Sequence, residues 1–171
     1  MASLTGEVTI KTTLNVVLGR TAQAAVALAG TSIVAMASVE AWQVFARYVL
    51  NDSPSWTEPV ALLLMTTAMM LGAAAGVRSN RHFGFFLLVE HASPRARRVL
   101  AFIPRIIALA VGSMLAVWGA DMMVDAWDFK MAGAPLPQGL VFAPMCLGGA
   151  LIALFAIEQL ISPPPPIPHG E

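Results

Sequence analysis

An acidic residue inside an apolar stretch is the first feature of this sequence that could do chemistry. Glu40 stands within the long apolar run that begins at Ala22, and a carboxylate in a membrane segment is costly and often a proton or cation site. Glu40 comes seven residues before Arg47, so both side chains share one helix face. We therefore favour pairing of Glu40, with Arg47 or with a partner subunit, over a coupling role.

A second candidate is an acidic stripe. Asp121, Asp125 and Asp128 recur at the spacing of one helix face. Three monodentate carboxylates on one helix make a poor cation cage, because calcium takes six to eight oxygen ligands from several directions. The stripe therefore reads as a solvated acidic face.

The remaining residues give little evidence that the protein is an enzyme or binds a cofactor. Haem in a four-span protein needs histidines within facing helices, whereas His82, His91 and His169 fall in loops or the tail. Cys146 is the single cysteine, and one cysteine forms neither an internal disulfide nor a zinc site. No nucleophile elbow, zinc-protease motif or phosphate-binding glycine loop occurs. We predict no catalytic, cofactor-binding or metal-binding residues.

Composition indicates the elements that position these residues. The 171 residues are 57% apolar and only 12% charged, whereas soluble domains are about 45–50% apolar and about 25% charged. A membrane-spanning helix needs about 20 mostly apolar residues. Four such stretches predict an all-α membrane protein of one four-span domain, with spans at about 22–48, 60–77, 99–124 and 140–161. The zero net charge gives no reason to expect a nucleic-acid partner.

The connections carry two smaller features. The apolar run Phe83–Val89 in the middle loop is too short to span and predicts an interfacial helix. The proline-rich segment 162–171 ends the last helix, because proline lacks the N–H group that a helix needs to continue.

Basic residues predict the orientation. Most of them fall in the N-terminal segment and the middle loop: Lys11, Arg20, Arg78, Arg81, Arg95, Arg97, Arg98 and Arg105. The opposite side holds Arg47 and Lys130. Basic loops face the cytoplasm, so we expect both termini to be cytoplasmic. Basic loops also attract anionic lipid headgroups.

The segment between the first two spans has a distinctive local pattern. Ser55 and Glu58 have capping-box spacing, in which the hydroxyl and the carboxylate satisfy N–H groups at a helix start. Arg47 is expected to reach headgroups or to pair with Glu58 or Asp52. In the second span, Gly72 and Gly76 have the spacing that lets another helix approach closely.

These motifs resemble a known family. The elements QVFARYVLN at Gln43–Asn51, SWTE at Ser55–Glu58, LGAAAGVR at Leu71–Arg78 and the pair Arg81–His82 occur in this order before and after an apolar span. In this order and spacing they resemble the small membrane subunit, of the DctQ type, of TRAP (tripartite ATP-independent periplasmic) transporters.

The resemblance implies a system of three parts in the bacterial inner membrane. A periplasmic solute-binding protein would capture an organic acid, a large membrane subunit would carry it by symport with sodium, and the small subunit would brace the large one. The surface facing the large subunit is expected to include Glu40, Gln43, Arg47, Trp56, Glu58, Gly72 and Gly76. The alternatives are a small dimeric exporter that uses Glu40 as its coupling carboxylate, and a scaffold of another membrane complex.

Overall fold

Within its described residues, the computed structural model contains four α-helices and one short 3-10 helix. It describes the backbone of residues 2–79 and 94–161, and the side chains of residues 15–79, 99–100 and 102–161. The elements are α1 (Ala2–Val49), α2 (Thr57–Arg78), α3 (Pro94–Asp125), the 3-10 helix Gln138–Phe142 and α4 (Ala143–Ile161). The predicted interfacial helix Phe83–Val89, His82 and the tail 162–171 lie outside the described residues.

The all-α, four-span architecture predicted from the sequence is confirmed. In the part of the chain that the structure describes, four helical segments are long and apolar enough to cross a membrane: Asn15–Val49, Thr57–Arg78, Phe102–Asp125 and Gln138–Ile161. The largest departure is the start of the first span, which the sequence placed at Ala22. Residues 2–49 contain no proline, so α1 begins well before its apolar run and is 48 residues long in all, about 72 Å at 1.5 Å per residue.

The helices pack in the order α1–α2–α4–α3. Extensive contacts join α1 to α2, α2 to α4 and α4 to α3. Within the described ranges, the edge helices α1 and α3 share no comparable contact. The arrangement is therefore an open layer, in which most large apolar side chains face outward.

Small residues bring α3 and α4 together. A Cβ atom on Gly149 would stand 2.6 Å from the Ala116 amide nitrogen and 2.8 Å from the Gly112 carbonyl oxygen. A Cβ atom on Gly119 would stand 2.8 Å from the Cys146 amide nitrogen. Since real Cβ atoms do not approach backbone this closely, these glycines are what allows the two backbones to touch. Small residues play this role widely in membrane helix pairs.

The small core lies towards one end of the layer. Ala74 of α2 and Phe155 and Ala156 of α4 are fully buried, and Leu18 of α1 and Ala108 of α3 belong to the same cluster. A second cluster joins Ala25 and Ala29 to Leu71. Both clusters are rich in alanine, so the helices approach closely without interlocking large side chains.

Charged or polar residues mark two levels across the layer. One level, the basic end, holds Arg20, Arg78, Arg105 and Glu158; the other, the acidic end, holds Glu40, Glu58, Asp125 and Gln138. In each span twenty residues separate the residue of one level from that of the other, a rise of about 30 Å, which is the thickness of a hydrocarbon core. Apart from Asp121, one turn from the acidic end, no charged residue lies between the levels in the described spans.

Contacts between helices show that the charged or polar residues assigned to one level lie at the same height in neighbouring helices. Arg78 contacts Glu158 directly. The cluster of Leu71 with Ala25 and Ala29 sets the register of antiparallel α1 and α2. Glu58 precedes Leu71 by thirteen residues. Because α1 and α2 are antiparallel, the residues at the level of Glu58 on α1 lie thirteen positions after Ala25 and Ala29. These are residues 38–42, which include Glu40.

Candidate functional site

The basic end holds the one ion pair found among the described residues. Arg78, the last residue of α2, donates from Nε to Glu158 Oε2 and from Nη2 to Glu158 Oε1, both at 2.9 Å. The Glu158 side chain is 10% exposed and that of Arg78 is 25% exposed. A two-point contact between guanidinium and carboxylate is geometrically specific and strong. It therefore fixes the end of α2 against α4.

Neighbouring groups complete this cluster. The Arg78 guanidinium carbon lies 5.8 Å from the centroid of the Phe155 ring, within cation–π range. Arg78 Nη2 also approaches the Asn15 carbonyl oxygen at 3.4 Å, which links α1 to the pair. The buried Gln159 amide donates to the Val77 carbonyl at 2.5 Å and to that of Arg78 at 3.3 Å. The last carbonyls of a helix lack partners within it, so Gln159 caps α2 from another span.

The sequence analysis missed Glu158 and Gln159. The available signal was an acid and an amide side by side in the last apolar span, predicted at the same end of the protein as Arg78. Arg78 was assigned to the basic loop and to lipid headgroups, whereas the structure pairs it within the protein.

A shallow groove runs beside Arg78 between α1 and α2. Its volume is about 450 Å³ and small apolar side chains form most of its wall. Arg78, Gln23 and Ser79 are the polar residues that line it. Among the described residues, no three His, Cys, Asp or Glu side chains are grouped to hold a metal ion.

At the acidic end, the predicted capping box is wrong. α2 begins at Thr57, and no side chain caps its first turn. The Ser55 hydroxyl instead donates to the Gly133 carbonyl at 3.1 Å. Gly133 has φ +86°, and a Cβ atom there would collide with the Ser55 carbonyl oxygen. The two connections at this end are thus joined, and tertiary contact decides the role of Ser55.

Arg47 has a different partner from those considered in the sequence analysis. Its Nη2 donates to Ser53 Oγ at 3.3 Å. No ion pair joins Arg47 to Glu58, Asp52 or Glu40, all of which are described. Gln43 is half-buried, whereas Arg47, Trp56 and Glu58 are exposed. These residues are grouped at the acidic end, but no other described residue forms an ion pair with Arg47 or Glu58.

The lack of contact between Arg47 and Glu58 leads to a prediction about these two residues. We expect Arg47→Ala and Glu58→Ala to have strictly additive effects on the stability of the isolated subunit, because residues without a shared contact add in their effects. Denaturation of the two single variants and the double variant in detergent measures this. A double variant that loses clearly less than the sum would reveal a coupling that the structure lacks.

Glu40 lies at the acidic end, not deep within the membrane segment as its place in the apolar run suggests. Its side chain is exposed and level with the first turn of α2. Several hydroxyls between the two levels are already bonded. Those of Thr31, Ser38, Thr66 and Thr67 donate to carbonyls of their own helices. The exporter hypothesis therefore loses the midplane carboxylate on which it depended.

The glycines of α2 are less crowded than those of α4. A Cβ atom on Gly72 would meet nothing within 4 Å, and Gly76 is half-buried. Gly148 of α4 packs against α2, since a Cβ atom on this glycine would stand 2.6 Å from Met70 Cβ. Gly72 therefore faces open space and stays a candidate for contact with another subunit.

The acidic stripe has the character predicted for it. Asp121, Asp125 and Asp128 are all exposed, and none forms an ion pair with another described residue. With Glu40, Asp52 and Glu58 they leave the acidic end strongly negative, since Arg47 and Lys130 are the basic residues there.

Four spanning helices in an open layer define a multi-pass membrane protein. Residues 36–163 match the model of the family described as "Tripartite ATP-independent periplasmic transporters, DctQ component". The chain belongs to this family, as the motifs at 43–82 indicated, and is thus a TRAP transporter component of the bacterial inner membrane.

Named relatives of the chain support this family assignment. The chain is 28% identical to a TRAP transporter small permease protein of Haemophilus influenzae over 77% of this chain and 82% of the relative. It is 26% identical to the sialic acid TRAP transporter small permease protein SiaQ of Vibrio cholerae, over 75% and 74%. It is also 26% identical to the C4-dicarboxylate TRAP transporter small permease protein DctQ of the same species, over 58% and 44%.

Proposed function

We propose that this chain is the small, non-catalytic subunit of a binding-protein-dependent, secondary-active TRAP transporter that takes up an organic acid. Its role is to brace a large membrane subunit that carries the solute, after a periplasmic binding protein has delivered it. Two relatives are named for C4-dicarboxylates and sialic acid, both of which are carboxylates, and this supports the substrate class.

The observation that carries the proposal is the open layer. A protein that moves a solute alone needs to enclose it, usually near the bilayer midplane between repeated helical units. Here the helices lie side by side, and the hydroxyls of Thr31, Ser38, Thr66 and Thr67 are bonded to carbonyls of their own helices. Such a layer presents two broad faces, which suits a brace for another membrane protein.

Reconstitution tests this proposal. We expect liposomes that contain the chain alone to take up no C4-dicarboxylate or sialic acid under a sodium or proton gradient. Uptake of a carboxylate should require the large subunit and the binding protein as well. Gradient-driven uptake by the chain alone would contradict the bracing role. Glu40→Gln would then show whether Glu40 is the coupling group.

We further propose that the basic end faces the cytoplasm, so that both termini are cytoplasmic. The basic residues of the N-terminal segment and the middle loop support this orientation. A reporter enzyme that is active only outside the cytoplasm should be inactive when fused after Glu171 and active when inserted at Asp52. The reverse pattern would show that the protein is inverted.

A further inference from the structure

The end of α1 extends beyond the level at which the other helices end. Glu40 marks the acidic end on α1, yet the helix continues to Val49. Nine further residues add a rise of about 13 Å. The headgroup layer on each side of a bilayer is about 5–7 Å thick. The last turn of α1, with Tyr48 and Val49, therefore lies beyond the headgroups.

This protruding segment is apolar where it is most exposed. Its outward side chains form one continuous stripe, which we call the protruding patch: Trp42, Val44, Phe45, Tyr48 and Val49. Their exposed fractions are 46%, 56%, 46%, 77% and 62%. The rings of Trp42 and Phe45 are 5.8 Å apart.

Interfacial anchoring accounts for only the first part of this patch. Tryptophan and tyrosine are favoured at the headgroup level, and Trp42 is about 3 Å past Glu40 along the helix axis. Tyr48 is about 12 Å past it and has the most exposed side chain of the patch. The outermost and most exposed residues therefore need a protein surface to cover them.

The location changes the energetics of association. Between the two levels, apolar burial against a partner gains little, because lipid tails are as apolar as the side chains. Beyond the headgroups the side chains face water, so their burial is favourable in proportion to area. The whole patch exposes roughly 500 Å², and its outer residues Tyr48 and Val49, which face water, expose about half of this. Each partner of a stable interface contributes roughly 800 Å², so the patch supplies a large part of such an interface.

We infer that the protruding patch is the main docking surface for the large membrane subunit, whose matching surface is apolar with a carboxylate near Arg47. This rests on the proposed function. Permanent interfaces are more apolar than transient ones, so the aromatic patch fits a resident subunit and not a binding protein that comes and goes. Arg47 lies beside the patch, is exposed and bonds only the neutral Ser53 hydroxyl in the described structure.

Co-purification tests the inference with a matched control. Tyr48→Ala with Val49→Ala removes the outer part of the patch. Ile33→Ala with Val34→Ala removes apolar side chains that are also exposed on α1, by 54% and 68%, but lie between the two levels. From membranes that hold the tagged chain and the large subunit, we expect at least fivefold less large subunit with the patch variant. The control variant should lose less than twofold.

The alternatives give different results. Equal recovery with the patch variant and the unmodified chain, or equal losses in the patch and control variants, overturns the inference alone. Absence of the large subunit from the unmodified preparation overturns the proposed function and the inference with it. Lower detergent stability of the isolated patch variant, with recovery of the large subunit unchanged, would assign the patch to lipid anchoring.

Cross-linking identifies the occupant of the patch. Cys146 is the single cysteine, so Cys146→Ala with Tyr48→Cys places one thiol on the patch. A membrane-impermeant thiol-reactive cross-linker should join this chain to the large subunit. A product of two 18.1 kDa chains, or a product that contains the binding protein in place of the large subunit, would overturn the inference.

Discussion

Gly149→Ala is expected to separate α3 from α4 and to destabilise the isolated subunit by at least about 2 kcal/mol. The added methyl would stand 2.6 Å from the Ala116 amide nitrogen and 2.8 Å from the Gly112 carbonyl oxygen. Both are backbone atoms, which cannot rotate away as a side chain can. The helices must therefore move apart, and the contacts along their whole interface weaken.

Gly72→Ala is the matched control for this substitution. Gly72 also lies within a spanning helix, but a Cβ atom there meets nothing within 4 Å. Alanine favours a helix over glycine by up to about 1 kcal/mol, so this variant should be as stable as the unmodified chain or more so. Titration of both variants with a denaturing detergent, followed by the fluorescence of the four tryptophans, measures the difference. Equal stability of the two variants would show that the α3–α4 contact is looser than described.

Glu158→Ala is expected to have an effect of similar size at the basic end. It leaves the Arg78 guanidinium without its two-point partner, next to the Phe155 ring and a quarter exposed. Removing one partner of a buried pair costs about 3–5 kcal/mol, and the partial exposure of Arg78 lowers the expected loss to about 2–4 kcal/mol.

Two further variants separate the charge from the contact. Glu158→Gln keeps a hydrogen-bond acceptor and should lose less than Glu158→Ala. The double variant Arg78→Met with Glu158→Met removes both charges and should recover much of the loss, because an apolar pair can replace a buried ion pair at little cost. Detergent denaturation again supplies the comparison. A double variant that is less stable than Glu158→Ala would mean that Arg78 acts mainly through Asn15 or Phe155.

The number and type of elements followed from the sequence because the length of an apolar run is a direct measure of a membrane span. The start of α1 was missed for the same reason, since residues 2–21 are more polar than a span but contain no proline to end a helix. Run length also could not show that α1 continues about 13 Å past the other helices, because residues 41–50 are as apolar as the span itself.

The candidate sites depended on contacts that spacing along the chain does not contain. Ser55 and Glu58 had capping-box spacing, but Ser55 bonds Gly133, seventy-eight residues away. Arg78 and Glu158 are eighty residues apart, and only the parallel packing of α2 and α4 brings them together. The spacing of Gly72 and Gly76 predicted a site where another helix packs closely. Within the described chain, the glycines of α3 and α4 allow such close packing.

The mass of the intact complex tests the central claim most directly. The tagged chain is expressed with the large subunit from the same genome, extracted in a mild detergent and weighed by native mass spectrometry. We expect one copy of this 18.1 kDa chain bound to one copy of the large subunit. A preparation that contains only pairs of this chain, with no large subunit, would contradict the assignment as the bracing subunit of a tripartite transporter.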